Sequence, residues 1–264
     1  MIEVPAPDLE RRFGGLARLY GVSGAARIRA AHVAVIGIGG VGSWAVEALA
    51  RSGVGQLTLI DLDHVSESNI NRQIHALDVT LGQAKVLAMR QRIAQINADC
   101  HVDCIEEFAG PGNWPKILPA GVDAVIDACD QVKAKTAMAA WAMRSGTPFI
   151  SVGAAGGKRH AHRVDIDDLC NTTHDPLLAQ VRYRLRKEHG APREGKKIGV
   201  ACVFSREAVM APDASCEVPD GAGVDGSLNC HGYGSVVSVT ATFGQCAAGW
   251  LMDQIATRKI SLRN

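Results

Sequence analysis

Five polar residues in the first half of the chain have the types and spacing that phosphoryl chemistry requires. They are Asp61, Asn69, Arg72, Lys85 and Asp130. When a carboxylate attacks the α-phosphate of ATP, negative charge builds on the phosphoryl oxygens and on the departing pyrophosphate. Arginine and lysine stabilise that charge, an asparagine orients a phosphate or a metal, and a carboxylate binds magnesium. Any one of these residues alone would be interpreted as a surface ion pair or a helix cap, but together they favour a nucleotidyl-transfer site.

A glycine-rich turn precedes these residues and supplies a phosphate-binding element. GIGGVG (37–42) fits the GxGxxG pattern, with Gly37, Gly39 and Gly42 in the three glycine positions. Such a turn lets the backbone approach phosphate groups, and the N-terminus of the following helix favours negative charge. Asp61 lies 19 residues after Gly42, which suits a carboxylate that accepts hydrogen bonds from ribose hydroxyls. We therefore expect these glycines and Asp61 to bind a nucleotide.

Three other functional classes fit the sequence less well. A nicotinamide-dependent oxidoreductase would use the same glycines and the same acid, but it has no evident need for Arg72 and Lys85. A P-loop needs Ser or Thr after its lysine to bind magnesium, whereas GAAGGKR (153–159) has Arg159 there and Val152 in place of the first glycine. A sulfur-relay or tRNA-binding adaptor, the non-enzymatic alternative, would function without the phosphate-binding cations.

The elements that must position these residues alternate regularly up to residue 153. Helical patterns occupy 43–53, 81–97 and 133–146, and strand-like apolar runs occupy 32–37, 56–61, 101–107, 123–130 and 147–153. This alternation predicts an α/β fold with a doubly wound, mainly parallel, Rossmann-like sheet. Asp61 and Asp130 would then face one crevice at the carboxyl ends of the strands. We interpret 1–264 as a single domain, with a nucleotide-binding core (1–155) and a substrate-facing extension that ends in a core helix (156–264).

The composition limits the remaining possibilities. The 264-residue chain is 47% hydrophobic and carries a net charge of +1, so nucleic-acid contact requires a local patch. Its eight cysteines include no CxxC pair, which argues against a structural zinc site, and their scatter is typical of reduced, intracellular thiols. The first residues, MIEVPAPDLERR, contain no apolar run, so we expect no signal peptide and a cytoplasmic location. Segment 231–252 lacks charge but is diluted by Gly, Ser, Thr and Gln. We expect it to be a buried helix, with membrane association as the minor alternative.

Four segments together resemble the ThiF/MoeB family of ubiquitin-activating-like adenylating enzymes, over about residues 10–155. They are GIGGVG (37–42), LTLIDLDHVSESNINRQ (57–73), GQAKV (82–86) and DACD (127–130). The resemblance implies that Gly40 and Asp61 bind the nucleotide. It also implies that Asn69, Arg72, Lys85 and Asp130 act on the phosphates and on magnesium. ATP and Mg²⁺ are the implied cofactors, and the resemblance leaves room for a monovalent cation whose ligands the sequence does not identify.

Flanking segments extend the resemblance over nearly the whole chain, to the tRNA threonylcarbamoyladenosine dehydratases, a family also called TcdA or CsdL. They are RRFGGLARLYG (11–21), NINRQIHA (69–76), DPLLAQVRYRLRKEHG (175–190), VACVFSREA (200–208) and VTATFG (239–244). The resemblance implies ATP-dependent conversion of threonylcarbamoyladenosine at tRNA position 37 to its cyclic form. The threonyl carboxylate would attack the α-phosphate, pyrophosphate would leave, and the ureido group would close the ring with release of AMP. Because the attacking groups belong to the substrate, no protein nucleophile is required.

The alternative within the same fold is adenylation of the C-terminal glycine of a sulfur-carrier or ubiquitin-like protein. Relatives that activate sulfur carriers have an R-x-x-R pair whose second arginine reaches into the partner's site in a dimer. That position is Gly15 here, so we transfer the role to Arg18, with Arg12 in reserve, and expect a homodimer. A cysteine desulfurase or sulfur-acceptor system is a further implied partner. Cys202 and Cys230 lie in matching segments, and we favour a structural role for them over a sulfur relay.

A basic segment, 182–197, is the candidate tRNA-binding surface. Its seven cations face only two acids, which gives a local charge of +5. Such a run is usually a solvated face, but a tRNA substrate makes phosphate contact the favoured interpretation. We expect the segment to lie near the crevice and to read no bases, because Tyr183 is its only aromatic residue. The residues assigned to tRNA are Arg182, Arg184, Arg186, Lys196 and Lys197.

Overall fold

The computed structural model of the chain describes residues 8–193, 195–213, 215 and 233–258. Within these residues the strands are β1 (His32–Ile36), β2 (Gln56–Ile60), β3 (His101–Ile105), β4 (Ala124–Asp127), β5 (Phe149–Val152), β6 (Val164–Asp168) and β7 (Ala201–Ser205). They form one sheet in the order β3-β2-β1-β4-β5-β7-β6. Only the β6–β7 pair is antiparallel in this sheet. The predicted doubly wound, mainly parallel sheet is therefore confirmed.

Helices cover both faces of the sheet. Those that the structure describes are α1 (Leu9–Phe13), α2 (Gly15–Ala30), α3 (Gly42–Arg51), α4 (Lys85–Ile96), α5 (Val132–Ser145), α6 (Pro176–Glu188) and α7 (Val237–Thr257). One core lies between the sheet and α3, α4 and α7, and the other lies beneath α5 and α6. Alternate residues of β1 point to opposite cores: Val33 and Val35 belong to the first, and Ala34 and Ile36 to the second. Every residue of this strand is buried, as expected for a parallel sheet that is covered on both sides.

The C-terminal helix α7 packs in the core, as the sequence predicts for segment 231–252, of which residues 231 and 232 lie outside the described part. Val239, Phe243, Ala247 and Leu251 recur every fourth residue and are fully buried. Gly244 lets α7 approach α3 closely, because a Cβ there would lie 2.4 Å from the backbone oxygen of Val41. In the part of the chain that the structure describes, we find no helix long and apolar enough to span a bilayer.

The second half of the chain adds two elements that the sequence analysis did not identify. Strand β6, with the sequence VDIDD, is rich in acids, but Val164 and Ile166 pack against the core. Helix α6 begins after Asp175, whose carboxylate accepts a hydrogen bond from the backbone N–H of Leu178 at 2.9 Å. Strand β7 pairs directly with β5, so both halves share one sheet. The division into a core and an extension at residue 155 stays a prediction.

Helix α4 begins later than the periodicity predicts, at Lys85 rather than at residue 81. The preceding residues are held in an extended pairing with the loop after β2: the N–H of Val65 donates to the carbonyl of Gln83 at 2.8 Å, and His64 pairs with Ala84. This pairing fixes the first residue of α4 beside the carboxyl end of β2.

Candidate active site

A cleft of about 720 Å³ opens at the carboxyl ends of β1, β2, β4 and β5. The strand order reverses between β1 and β4, and a doubly wound sheet binds ligands at such a point. The lining includes Gly37, Gly39, Gly40, Asp61, Asp63, Asn69, Arg72, Gln73, Lys85, Glu107, Phe108, Cys129, Asp130, Gly153, Gly156, Leu177 and Thr240. The structure therefore brings the predicted phosphate-binding residues together at one site.

The glycine-rich turn after β1 forms the floor of the cleft. Gly37 has a positive φ of 85°, and a Cβ on Gly42 would lie 1.7 Å from the backbone oxygen of Gly37. A side chain at Gly42 would therefore force α3 away from the turn, and one at Gly37 would meet the backbone oxygen of Ala128, after β4, at 2.9 Å. A Cβ on Gly39 would meet nothing within 4 Å, so this part of the turn is open. Helix α3 begins here without a side-chain cap, and its N-terminus can hold a phosphate.

Asp61 links the glycine turn to the loop after β2. Its carboxylate accepts hydrogen bonds from the backbone N–H groups of Ile38 at 2.6 Å and Asp63 at 2.8 Å. Burial raises the pKa of Asp61, and the nearby Lys85 and the two N–H donors oppose that shift. A carboxylate has about four acceptor sites, so oxygen lone pairs remain for ribose hydroxyls.

Lys85 and Arg72 bring two cations to the cleft. Lys85 is only 6% exposed, and its Nζ lies 2.8 Å from the Oδ2 of Asp63. Nη1 of Arg72 donates to the backbone oxygen of Ser68 at 2.6 Å and to the Oδ1 of Asn71 at 2.9 Å. Nε of Arg72 is buried and has no partner within the described residues. Buried donors are normally paired, so the free Nε fits a site that receives an anionic ligand.

The loop that contains Arg72 is also held from the α3 side. The indole Nε1 of Trp44 donates to the backbone oxygen of Arg72 at 2.9 Å. The Arg72 side chain packs over the glycine turn, where its Cγ and Cδ lie 3.4 Å from the place that a Cβ on Gly40 would occupy. These contacts couple the position of the guanidinium to the phosphate-binding turn.

Asn69 and Asp130 lie at different depths. Asn69 is buried, and its Oδ1 accepts a hydrogen bond from the backbone N–H of Ser66 at 3.1 Å, which closes the turn that precedes Arg72. Asp130 is exposed at the rim, where its Oδ1 accepts a hydrogen bond from Nε2 of Gln131 at 3.3 Å. The described residues contain no group of three His, Cys, Asp or Glu that could hold a metal. A single carboxylate nevertheless fits Mg²⁺, which takes one or two protein carboxylates together with nucleotide phosphates and water.

A fully buried ion pair fixes the loop that presents Asp130. Nζ of Lys135, on α5, lies 2.9 Å from the Oδ2 of Asp127, the last residue of β4, and both side chains are 0% exposed. Ser151 donates to the same oxygen at 2.6 Å, and the Cys129 thiol donates to Oδ1 at 3.1 Å. Burial works against the charge of Lys135, but Asp127 raises the pKa of this lysine overall. The ends of β4, β5 and α5 are thereby tied together beneath the cleft.

Gln73, Glu107 and Phe108 are among the cleft residues that the sequence analysis did not assign. Gln73 is buried, and its Oε1 has no partner within the described residues. Its position directly after Arg72, in the R-Q pair, was the available signal. Glu107 and Phe108 follow β3 at the end of the cleft beyond Asp61, and Phe108 is 62% exposed. The predicted strand 101–107 included Glu107, but β3 ends at Ile105, and both residues belong to the loop that follows.

The arginines proposed to act between protomers lie outside the cleft of their own chain. Arg18 is exposed on α2, a helix that Gly21 interrupts with a positive φ of 72°. Nη1 of Arg12 donates to the backbone oxygen of Ile96 at 2.9 Å. Arg12 therefore already has a hydrogen-bond partner within its own chain.

The expectation that the basic segment lies near the crevice is wrong. Leu177, at the start of α6, lines the cleft, and thirteen helical residues extend about 20 Å away from it. Lys197 lies beside Gly146 and Pro148, which precede β5, so it is at the amino ends of the parallel strands, opposite the cleft. Arg182 is half-buried, and its Nη1 donates to the carbonyls of Leu169 and Thr172 at 3.0 Å each, so this guanidinium is already engaged within the chain.

The remaining assigned cations of this segment are two half-buried arginines and two exposed lysines. Arg184 pairs with Glu188 at 3.5 Å, and Nε of Arg186 donates to the backbone oxygen of Pro192 at 3.1 Å. Lys196 and Lys197 are exposed. These four residues, and not Arg182, form the distal basic surface.

Cys202 is fully buried in β7, as its apolar sequence context predicts. Burial raises the pKa of its thiol well above the ordinary value, so a thiolate for sulfur transfer is disfavoured. Cys230 lies outside the described residues.

Comparison with known proteins connects this geometry to named enzymes. The chain is 43% identical over 254 residues to a protein of Haemophilus influenzae named tRNA threonylcarbamoyladenosine dehydratase, with 96% of each chain covered. The crystal structure of the Escherichia coli tRNA N6-threonylcarbamoyladenosine dehydratase, TcdA, in complex with ATP matches with a TM-score of 0.83 and 40% identity, over 96% of this chain and 97% of that one.

A relative of different chemistry matches over a shorter region. The molybdopterin-synthase adenylyltransferase of Salmonella typhimurium is 36% identical over 138 residues, which is 52% of this chain and 55% of that protein. The match to the ThiF family model, in contrast, covers residues 12–262. The chain that carries the glycine turn and the two cleft cations thus belongs to the ThiF family.

Proposed function

We propose that the protein is an ATP-dependent, tRNA-modifying dehydratase that cyclises threonylcarbamoyladenosine at tRNA position 37. The observation that carries this proposal is the similarity to enzymes of that name over 96% of both chains, combined with a cleft that contains Arg72 and Lys85 beside the glycine turn. Adenylation of a sulfur-carrier protein is less supported, because the relative named for such chemistry matches about half of the chain.

In the first step, the threonyl carboxylate attacks the α-phosphate of ATP. A new P–O bond forms, the bond to the β-phosphate breaks, and pyrophosphate leaves with its electron pair. The N-terminus of α3 and the glycine turn hold the phosphates, and Asp61 holds the ribose. Lys85 and Arg72 stabilise the charge that develops on the phosphoryl oxygens and on the leaving group.

In the second step, the ureido group attacks the activated carbonyl and loses a proton, and AMP leaves. The net change in the nucleoside is loss of water, whose atoms are accounted for in AMP and pyrophosphate. The protein's contribution is to hold the two ends of one substrate group close together, which needs no covalent enzyme intermediate. Residues 153–156 line the same cleft as the glycine turn, and we place this substrate group on them.

Asp130 is the residue that we assign to Mg²⁺, with Asn69 orienting the adjacent phosphate. When bound, the metal neutralises charge on the phosphate oxygens. We assign no ligand to a monovalent cation. A cysteine desulfurase or sulfur-acceptor partner would have to act without Cys202, because that thiol is buried. A tRNA substrate favours a cytoplasmic location.

The direct test is to incubate the purified protein with ATP, Mg²⁺ and tRNA that contains threonylcarbamoyladenosine, followed by mass analysis of the nucleosides. We expect a product nucleoside lighter by one water, with one AMP released per product. A matched tRNA with unmodified adenosine at position 37 should release no AMP. Unchanged nucleoside in the first reaction, together with AMP release that depends on a sulfur-carrier protein, would establish the alternative function.

We expect the cleft to bind ATP and not NAD. Asp61 and the glycine turn would accept either nucleotide, but Arg72 and Lys85 match a triphosphate. Calorimetry with each nucleotide in the presence of Mg²⁺ measures the difference, and Arg72→Ala should weaken ATP binding. Binding of NAD without measurable ATP binding would overturn the adenylation assignment.

We propose a homodimer in which Arg18 of one protomer completes the cleft of the other. Arg18→Ala and Lys85→Ala should each be inactive alone. If subunits exchange freely, an equal mixture of the two variants forms heterodimers and should regain activity. About a quarter of all sites in that mixture combine an intact cleft with an intact Arg18 from the other protomer. Light scattering checks that dimers are present. A mixture that stays inactive although heterodimers form would show that Arg18 has no role across the interface.

A further inference from the structure

Two buried charged residues outside the nucleotide site hold the loop that follows β5. Nζ of Lys158 donates to the backbone oxygens of His174, at 2.8 Å, and of Glu207. The Glu207 carboxylate accepts hydrogen bonds from the backbone N–H groups of Arg159, at 3.0 and 3.1 Å, and of His160, at 2.9 Å. Lys158 and Glu207 are 2% and 5% exposed. Neither residue lines the cleft, so nucleotide chemistry does not explain why these charges are buried.

The held loop begins in the wall of the cleft and ends on the surface. Residues 153–156 line the cleft, and the backbone N–H of Ala154 donates to the Oδ2 of Asp175 at 2.9 Å. The chain stays buried through Lys158 and becomes exposed at Arg159. Glu207 follows β7, which runs parallel to β5. It therefore lies at the carboxyl ends of the parallel strands, as the cleft does. Arg159 is thus only three residues from the cleft wall.

The exposed end of the loop presents cations and aromatic rings together. The side chains of Arg159, His160, His162 and Arg163 are at the surface, and the rings of His160 and His162 pack edge to face with centroids 5.5 Å apart. We find no side-chain hydrogen bond or ion pair of Arg159 or Arg163 among the residues that the structure describes.

The acids near this loop are largely engaged already. Asp165 pairs with Arg206 at 2.6 Å, and Glu207 is used by the loop's own N–H groups and by the ring of His160, at 2.9 Å. Asp213 also lies near Arg159 and accepts hydrogen bonds from Ser215. Among the described residues, the exposed guanidinium groups of Arg159 and Arg163 therefore have no ion-pair partner.

We propose that Arg159, His160, His162 and Arg163, here called the rim surface, bind the RNA backbone next to the nucleotide that occupies the cleft. This inference rests on the proposed function. Arginine binds phosphate, and both arginine and histidine stack on the unpaired bases of RNA loops. A rigid loop beside the cleft can fix a flexible RNA loop. The arginines of the distal basic surface lie about 10–14 Å along α6 from Leu177, and Lys197 lies beside Gly146 and Pro148, away from the cleft, so we expect this surface to contact the body of a large RNA.

The experiment compares two variants with two RNAs. The rim variant is Arg159→Ala/Arg163→Ala, and the distal variant is Arg184→Ala/Arg186→Ala/Lys196→Ala/Lys197→Ala. Each is assayed with a full-length tRNA and with a short anticodon stem–loop, both containing threonylcarbamoyladenosine. Direct binding of the unmodified stem–loop is measured at two salt concentrations, so that RNA binding is tested even if no conversion occurs. Arg90→Ala, on the exposed face of α4, is the matched control.

We expect the rim variant to raise the KM about tenfold or more for both RNAs while kcat changes little, because uniform binding is lost. In the rim variant, the slope of log RNA affinity against log salt concentration should become less negative by about 0.7–0.9 for each lost phosphate contact. The distal variant should raise the KM for full-length tRNA alone. ATP binding should stay at the wild-type level in both.

Wild-type stem–loop affinity and salt dependence in the rim variant would overturn the proposal. Loss of ATP binding in that variant would also overturn it, because the arginines would then act through the nucleotide site. If the wild-type protein binds the stem–loop through the rim surface but never converts the nucleoside, the proposed function is wrong, whereas the RNA-binding role of the rim surface is supported.

Discussion

Alanine at Lys85 or Arg72 is expected to lower the rate of tRNA-dependent AMP formation by about a hundredfold or more for each substitution. Each cation binds the phosphates of ATP and stabilises more strongly the charge that develops in the transition state, so kcat should fall and the KM for ATP should rise. The fold should survive in both variants. Lys85→Ala leaves Asp63 without its partner, but the Asp63 side chain is 54% exposed and stays hydrated.

Circular dichroism and single-turnover measurement of AMP release check this expectation. Arg90→Ala provides the control, since it removes a cation from the exposed face of the same helix, α4. Near-normal rates in both cleft variants would remove Arg72 and Lys85 from the chemistry.

Lys135→Met is expected to destabilise the protein by about 3–5 kcal/mol, because it leaves the Asp127 carboxylate buried without its counter-ion. Ser151 and Cys129 still donate hydrogen bonds to that carboxylate, but they do not replace the positive charge. Urea unfolding followed by circular dichroism measures the loss. Lys133→Met makes the same chemical change at an exposed position of α5 and should shift the free energy of unfolding by about 0.5 kcal/mol or less.

A double variant separates the effect of the lost ion pair on stability from the effect of the changed side-chain shape at position 135. Asp127→Asn added to Lys135→Met removes the unpaired charge, so the double variant should be more stable than Lys135→Met alone. Additive losses in this double-mutant cycle would show that the two side chains are not coupled. That outcome would contradict the role that we give to the pair in fixing the loop before Asp130.

The first half of the fold was predictable because its local signals agree with its tertiary structure. The apolar runs at β1, β2, β4 and β5 are short and bounded by glycine or acid, and the helices between them are periodic. Asp61 and Asp130 could be assigned to one crevice from topology, since the carboxyl ends of parallel strands meet at the same end of the sheet.

The second half was harder to predict because its elements are specified by long-range pairing. Strand β6 has three acids in five residues and is recognisable only from its antiparallel partner β7. The basic segment was placed near the cleft, since its charge is visible in the sequence but the direction of α6 is not. Arg182 illustrates the same limit: its partners, the carbonyls of Leu169 and Thr172, precede it by 13 and 10 residues. Its residue type predicts a phosphate ligand, and its environment makes it a structural residue.

The hydrogen bond from Trp44 to the backbone of Arg72 has an optical consequence. The chain has four tryptophans. Trp114 and Trp141 pack against each other in the core beneath α5, with ring centroids 5.3 Å apart. Trp250 lies near the amino ends of the parallel strands, opposite the cleft. Indole emission responds to hydrogen bonding and to nearby charge. Trp44 is therefore a built-in fluorophore for the loop that carries the phosphate-binding arginine, and its signal can be followed in real time without a label.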